Sequence, residues 1–177
     1  MLLYSIGHST HPIERFVELL DTHSIGLIAD VRAFPASRRY PHFNAAELEH
    51  SVSGHGIRYR GFRQLGGRRQ LVRPDSPHTA WQNAAFHAYA DYMDTAEFQV
   101  GFEQLLEEAA TATVTFMCAE GLWWRCHRRL LSDRLIAAGN SVQHIMPNGS
   151  LVKHELPAFA RVVAQRVIYD GSNEKNS

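Results

Sequence analysis

The sequence predicts an α/β domain, a single Rossmann-like three-layer fold with a mostly parallel sheet of about five strands and helices on both faces. Three observations predict it. Short apolar runs that suit buried strands alternate with stretches of helical spacing along the whole chain. The length, 177 residues, suits one domain, and neither an internal repeat nor a linker divides it. Hydrophobic residues make up 45% and charged residues 20%, the mix of an ordinary globular protein.

The elements follow in order. Leu2 to Ile6 is a first strand, ended by Gly7. Ile13, Phe16, Val17 and Leu20 recur at helical spacing after Pro12, with Thr10 or His11 as cap. Gly26 to Val31 reads as a second buried strand. A proline-punctuated loop from Phe34 to Phe43 leads to a helix capped by Asn44 and running through Val52. Ile57 to Phe62 is a third strand. Arg63 to Asn83 has no period, and a loop of that length inside a compact domain tends to carry function. Helices over Ala84–Met93 and Ala96–Ala110 precede a β-branched fourth strand, Thr113–Met117. A helix from about Arg125 to Ala138 stops at Gly139. Val142–Met146 is a fifth strand, Leu151–His154 its hairpin return, and Phe159–Val163 a short last helix. The domain is expected over residues 4–168, with 169–177 a disordered polar tail.

No apolar run reaches the roughly 20 residues of a membrane helix, and the N-terminus lacks the pattern of a signal peptide. The expected location is the cytoplasm, where Cys118 and Cys126 would stay reduced. Net charge is +0, but it is unevenly spread. Nearly all the lysine and arginine residues are arginines, concentrated between Arg32 and Arg73, while Pro74 to Trp124 has no lysine or arginine at all. Arginine favours planar, bidentate contacts to phosphate or carboxylate. The expected partner is therefore an anionic small molecule or a nucleic acid, unless those arginines only pair with acids elsewhere.

Parallel sheets bind ligands beyond the carboxyl ends of their strands, where strand order reverses. With the order 3-2-1-4-5, that crevice lies between the first and fourth strands, bringing Gly7–Thr10 together with Cys118–Gly121 and Asp30–Arg32. The same segments carry a family resemblance. Ser5-Ile6-Gly7-His8-Ser9-Thr10, Asp30-Val31-Arg32, Phe34-Pro35, Ser37-Arg38-Arg39, Phe43-Asn44, Leu65-Gly66-Gly67, Tyr89–Met93, Met117–Glu120 and Trp123–Arg128 are together similar to the domain-of-unknown-function family 488. The resemblance spans Tyr4 to Arg161. It implies the fold and its boundaries, and it carries no catalytic role to any residue.

Each candidate has a functional and a structural reading. His8 is a proton donor or acceptor, and the backbone N–H groups and the Ser9 hydroxyl at this helix start can hold an anion, or Ser9 or Thr10 simply caps the helix and His8 is structural. Asp30 and Arg32, two apart on a strand, share a side; they either position substrate or form a buried ion pair. Arg38 and Arg39 offer forked donors to a phosphate. Glu120 is a general base or a substrate ligand, or it neutralises Arg128. His127 and Arg128 belong to the pocket or to packing, and Trp123 and Trp124 stack a base or cover the core.

Cys118 invites a nucleophile reading through superficial likeness to rhodanese and phosphatase loops. The spacing to Arg125 is one residue too long for the phosphatase form, and Glu120, Leu122, Trp123 and Trp124 are too bulky or acidic for a phosphate cradle. No C-x-x-C or H-x-x-x-H pair suggests a metal. Cys126 and His127, adjacent on a helix, would stand about 100° apart. No metal is expected, short of a site assembled from separate loops, and no pattern selects a cofactor.

The leading expectation is an enzyme, a hydrolase or transferase, acting on a phosphorylated or nucleotide-like molecule. In it Glu120, His8 and Asp30 do acid–base work, and Ser9, Arg32, Arg38, Arg39, His127 and Arg128 hold the substrate. The alternatives are a nucleic-acid module and thiol or metal chemistry at Cys118.

Overall fold

The apolar runs become the strands of the computed structural model, which describes residues 1–70 and 73–171. In chain order the elements are β1 (Leu2–Gly7), α1 (Ile13–Thr22), β2 (Leu27–Asp30), α2 (Ala45–Ser53), β3 (Arg58–Gly61), α3 (Ala84–Tyr92), α4 (Ala96–Ala109), β4 (Val114–Cys118), α5 (Arg128–Ala137), β5 (Ser141–Ile145), β6 (Leu151–Lys153), β7 (Ala160–Val163) and β8 (Arg166–Tyr169). The fold is the three-layer α/β arrangement expected. A six-stranded sheet runs β3-β2-β4-β1-β5-β6, parallel except for β6, which returns antiparallel on β5.

Alternation of side chains across the sheet builds a core on each face. Leu3, Leu27, Ala29, Val114, Phe116 and Val142 face α3, α4 and α5; Ile6, Ile28, Met117 and Ile145 face α1 and α2. The starts of α3 and α4 are fixed by side-chain caps: Asn83 accepts from the N–H groups of Ala85 and Phe86, and Thr95 from that of Phe98. Gly139, at φ +80°, ends α5 in the left-handed region that only glycine adopts freely.

Several expectations are corrected. The strand order is 3-2-4-1-5, with β4 between β2 and β1, because β4 pairs with both through Tyr4↔Thr115 and Ile28↔Thr115. The segment read as a last helix is β7, a strand paired with β8 outside the main sheet. Asn44 precedes α2, but its side chain accepts from the Ser37 N–H at 2.6 Å, tying the Phe34–Phe43 loop closed. Neither Thr10 nor His11 caps α1, which Pro12 precedes. Tyr169, placed at the head of the expected tail, ends β8 and is fully buried. Residues 172–177 of that tail lie outside the described residues.

A buried polar relay ties the β7–β8 hairpin to the sheet. The Tyr169 hydroxyl donates to Asp133 (2.7 Å), as does His154 Nε2 (2.7 Å); His144 Nε2 donates to His154 Nδ1 (2.9 Å). Ser5 donates to His144 Nδ1 (2.8 Å) and accepts from Arg128 Nη1 (3.1 Å). These bonds form one continuous chain from the Arg128 guanidinium to the Asp133 carboxylate. Burial, then the neighbouring His154 and Arg128, push His144 down to about 2.

Candidate functional site

Register sets the site. Gly7 pairs with Cys118 and Asp30 with Met117, so the carboxyl ends of β1, β2 and β4 stop level with one another. The backbone ladder continues past the strands: the His8 N–H donates to the Cys118 carbonyl (2.9 Å) and the Ser9 N–H to that of Ala119 (3.0 Å). The two loops lie so close that a Cβ on Gly7 would overlap the Glu120 carbonyl, which makes glycine necessary there. The same ladder occupies the His8 and Ser9 N–H groups, which are therefore not available to an anion. Ser9 itself sits at φ 49°.

Over these strand ends opens a cavity of about 720 Å³. It is lined by His8, Ser9, Arg32, Cys118, Glu120 and His127, together with Phe34, Tyr40, Gly67 and Arg68. Loops distant in sequence do converge. Of the residues expected to form the site, Asp30 lies beneath it, Arg128 is buried to one side, and exposed Arg38 and Arg39 are not among its lining.

Asp30 and Arg32 form a buried ion pair. Arg32 donates from Nε and Nη2 to the carboxylate (2.6–3.0 Å) and from Nη2 to the Phe43 carbonyl (2.8 Å). The Tyr59 hydroxyl adds a 2.5 Å bond to Asp30. Burial opposes the Arg32 charge, but Asp30 overcomes it and raises the pKa of the guanidinium above its ordinary value. The remaining nitrogen, Nη1, faces His8 Nε2 at 3.4 Å. His8 Nδ1 donates to the Ser9 carbonyl (3.0 Å), which leaves Nε2 with its lone pair. His8 is stacked on Phe43 at 4.2 Å. Burial above all, with Arg32 helping, pushes its pKa down to about 4, so the imidazole is neutral at physiological pH.

Glu120 is exposed at the rim, where its carboxylate accepts from the Leu122 N–H at 3.2 Å. Its backbone carbonyl, not its side chain, receives the Arg128 guanidinium. Arg128 therefore braces the loop from behind rather than lining the cavity. Trp123 stacks flat on His144, with centroids 4.1 Å apart, whereas Trp124 is 42% exposed.

The thiols were the residues least legible in the sequence. Cys126 is not helical: its φ of −127° and ψ of 154° are extended, and α5 begins only at Arg128. The angular argument against Cys126 and His127 facing one point therefore loses its premise. The ligand atoms of Cys118, Cys126 and His127 all lie within 4.8 Å of one another. The neighbouring Cys118, aided by His127 and against burial, holds Cys126 below the ordinary thiol range, while Cys126 and burial raise Cys118 above it. Gly67, Arg68 and Phe34 were also missed as lining residues, although Gly67 and Arg68 lie in an unusually long loop and Arg68 in the arginine-rich segment.

A family model described as "Domain of unknown function DUF488" matches residues 12–135. No curated protein and no solved structure matches the chain.

Proposed function

The chain belongs to the family Domain of unknown function DUF488, and on that premise we propose that it is an enzyme, a hydrolase or transferase, acting on a phosphorylated or nucleotide-like small molecule in the cavity at the strand ends. One observation carries this reading. Arg32 is held rigidly by Asp30 and Phe43 and lines the cavity together with His8, whose neutral imidazole receives the Arg32 Nη1 on its Nε2 at 3.4 Å. A fixed cation edge next to an unprotonated base suits binding an anion while taking a proton from an attacking or leaving hydroxyl.

Three further features support it. The cavity volume of about 720 Å³ is in the range of small-molecule sites. Arg68 lines the cavity, its guanidinium 5.5 Å from the Phe34 ring centroid, and supplies a second cation. Among the described residues no carboxylate forms an ion pair with Arg38, Arg39, Arg63, Arg68 or Arg125, all carried by loops that follow β2, β3 and β4. Elsewhere in the basic segment Arg58 and Arg60 bond to Glu108, and Arg73 to Asp91 and Asp94.

Thermal unfolding in the presence of nucleoside monophosphates, sugar phosphates and their unphosphorylated counterparts tests the reading. Phosphorylated compounds are expected to raise the Tm and the others not. Arg68→Ala, which removes no buried charge, should weaken binding about tenfold, the loss of one charged hydrogen bond. Equal stabilisation by the unphosphorylated compounds, or none by any, would reject it.

A second reading rests on the exposed aromatics. Phe34 (69% exposed) and Trp124 (42%) stand among the unpaired arginines, an arrangement that suits stacking of single-stranded bases. Oligonucleotide binding that falls steeply with salt would favour it over the small-molecule reading.

A further inference from the structure

We propose that Cys118, Cys126 and His127 form a binding site for one thiophilic divalent cation, Zn²⁺ in particular, with a fourth coordination position open to the cavity. The proposal needs only these three donors and stands apart from the phosphate-binding reading.

The geometry already approximates a coordination sphere. With Zn–S near about 2.3 Å and Zn–N near about 2.0 Å, a tetrahedral centre puts a sulfur and a nitrogen about 3.5 Å apart. Cys126 Sγ and His127 Nδ1 are 3.4 Å apart. Cys118 Sγ completes a triangle whose sides are all within 4.8 Å. The donors come from two rigid places, the end of β4 and the turn entering α5, so no long loop must be ordered to assemble them.

The imidazole is prepared for a metal in two ways. Its Nε2 donates to the Val31 carbonyl at 3.0 Å, which fixes the tautomer and turns the Nδ1 lone pair toward the sulfurs. Metal-bound histidines are commonly anchored through the other ring nitrogen in this way. Gly67 lies over the same nitrogen: a Cβ there would come within 2.8 Å of Nδ1. Its missing side chain leaves the donor unobstructed.

Cys118 and His127 both line the cavity, while Cys126 is buried behind them. Three protein ligands with one position facing a cavity is the arrangement of catalytic rather than structural zinc. Binding replaces both thiol protons with the metal: Zn²⁺ enters, two protons leave to solvent, and the two thiolates balance the ionic charge. The unoccupied position would take water or an oxygen of whatever molecule fills the cavity.

The experiment uses the full chain, reduced and stripped of metal, titrated with Zn²⁺ against a chromophoric chelator and separately with Co²⁺. The expected result is one equivalent per chain, release of protons on binding, and a Co²⁺ spectrum with thiolate charge-transfer bands and intense tetrahedral d–d absorption. Cys118→Ser and Cys126→Ser should abolish that spectrum. Gly67→Ala should weaken Zn²⁺ binding about 10–100-fold, the range seen for disturbed supporting contacts. Should a cysteine variant fail to fold, protection of both wild-type thiols from alkylation by added Zn²⁺ gives the same answer. Absence of saturable binding by the reduced wild-type chain, or undiminished binding by Gly67→Ala together with unprotected thiols, would overturn the proposal. So would a Cys118–Cys126 disulfide forming in air as the sole chemistry of the pair, with no metal bound after reduction.

Discussion

Asp30 is buried, and its charge is matched by one residue, Arg32, with a further bond from Tyr59. Removing one partner of such a pair leaves an uncompensated charge in the interior. Arg32→Met is therefore expected to cost about 3–5 kcal/mol in urea unfolding, against about 1–2 kcal/mol for Tyr59→Phe. A loss below 1 kcal/mol for Arg32→Met would mean that Asp30 is relieved by water. The pairing itself was legible, since residues two apart in a strand share a side. What was not legible was its consequence, that the pair fixes Arg32 with its Nη1 against the Nε2 of His8. Cys126 was misread for a different reason. Helical phase applies only inside a helix, and nothing local says that the turn before Arg128 is extended.

At the scale of elements, close approach of the loops after β1 and β4 is the constraint that most limits the sequence. Gly7→Ala drives a methyl group into the Glu120 carbonyl, and the two loops must part for it to fit. We expect it to lower stability by more than about 2 kcal/mol, beyond what an ordinary exposed glycine costs, and to expose Cys118 to thiol reagents. Unchanged thiol reactivity would show that the loops accommodate the methyl group without separating. The Asn83 cap is a milder case: Asn83→Ala should cost about 1 kcal/mol, read from chemical denaturation. Most strands were readable from apolar runs and β-branched residues. Their order was not, because whether β4 lies beside β2 is decided by pairing between segments far apart in sequence. The β7 strand was mistaken for a helix since Phe159, Val162 and Val163 fit a helical spacing as well as a hairpin. Its partner β8 settles the matter only in three dimensions.

For the molecule as a whole, two buried neutral histidines set the response to acid. His8 is depressed from 6.5 to about 4 and His144 to about 2, both chiefly by burial. The unfolded chain thus binds protons that the folded one refuses. Stability is full above pH 6.5 and falls as the pH drops through about 4, His8 alone accounting for about 3 kcal/mol. Asp133 works in the opposite sense, since burial raises its pKa and favours its protonation in the folded state. Urea midpoints measured from pH 7 to 4 should fall, and His8→Phe should flatten the curve. An unchanged slope in that variant would assign the acid sensitivity elsewhere.

The position of β1 has a practical consequence for anyone who trims this chain. It lies in the middle of the sheet, between β4 and β5, yet it comes from the first seven residues. A fragment bounded at residues 12 and 135 would keep most of the helices but lose β1 and β5, leaving β4 without its β1 backbone partner. Such a peptide should be recovered insoluble or unfolded by circular dichroism, whereas the chain cut after Asp170 should remain native.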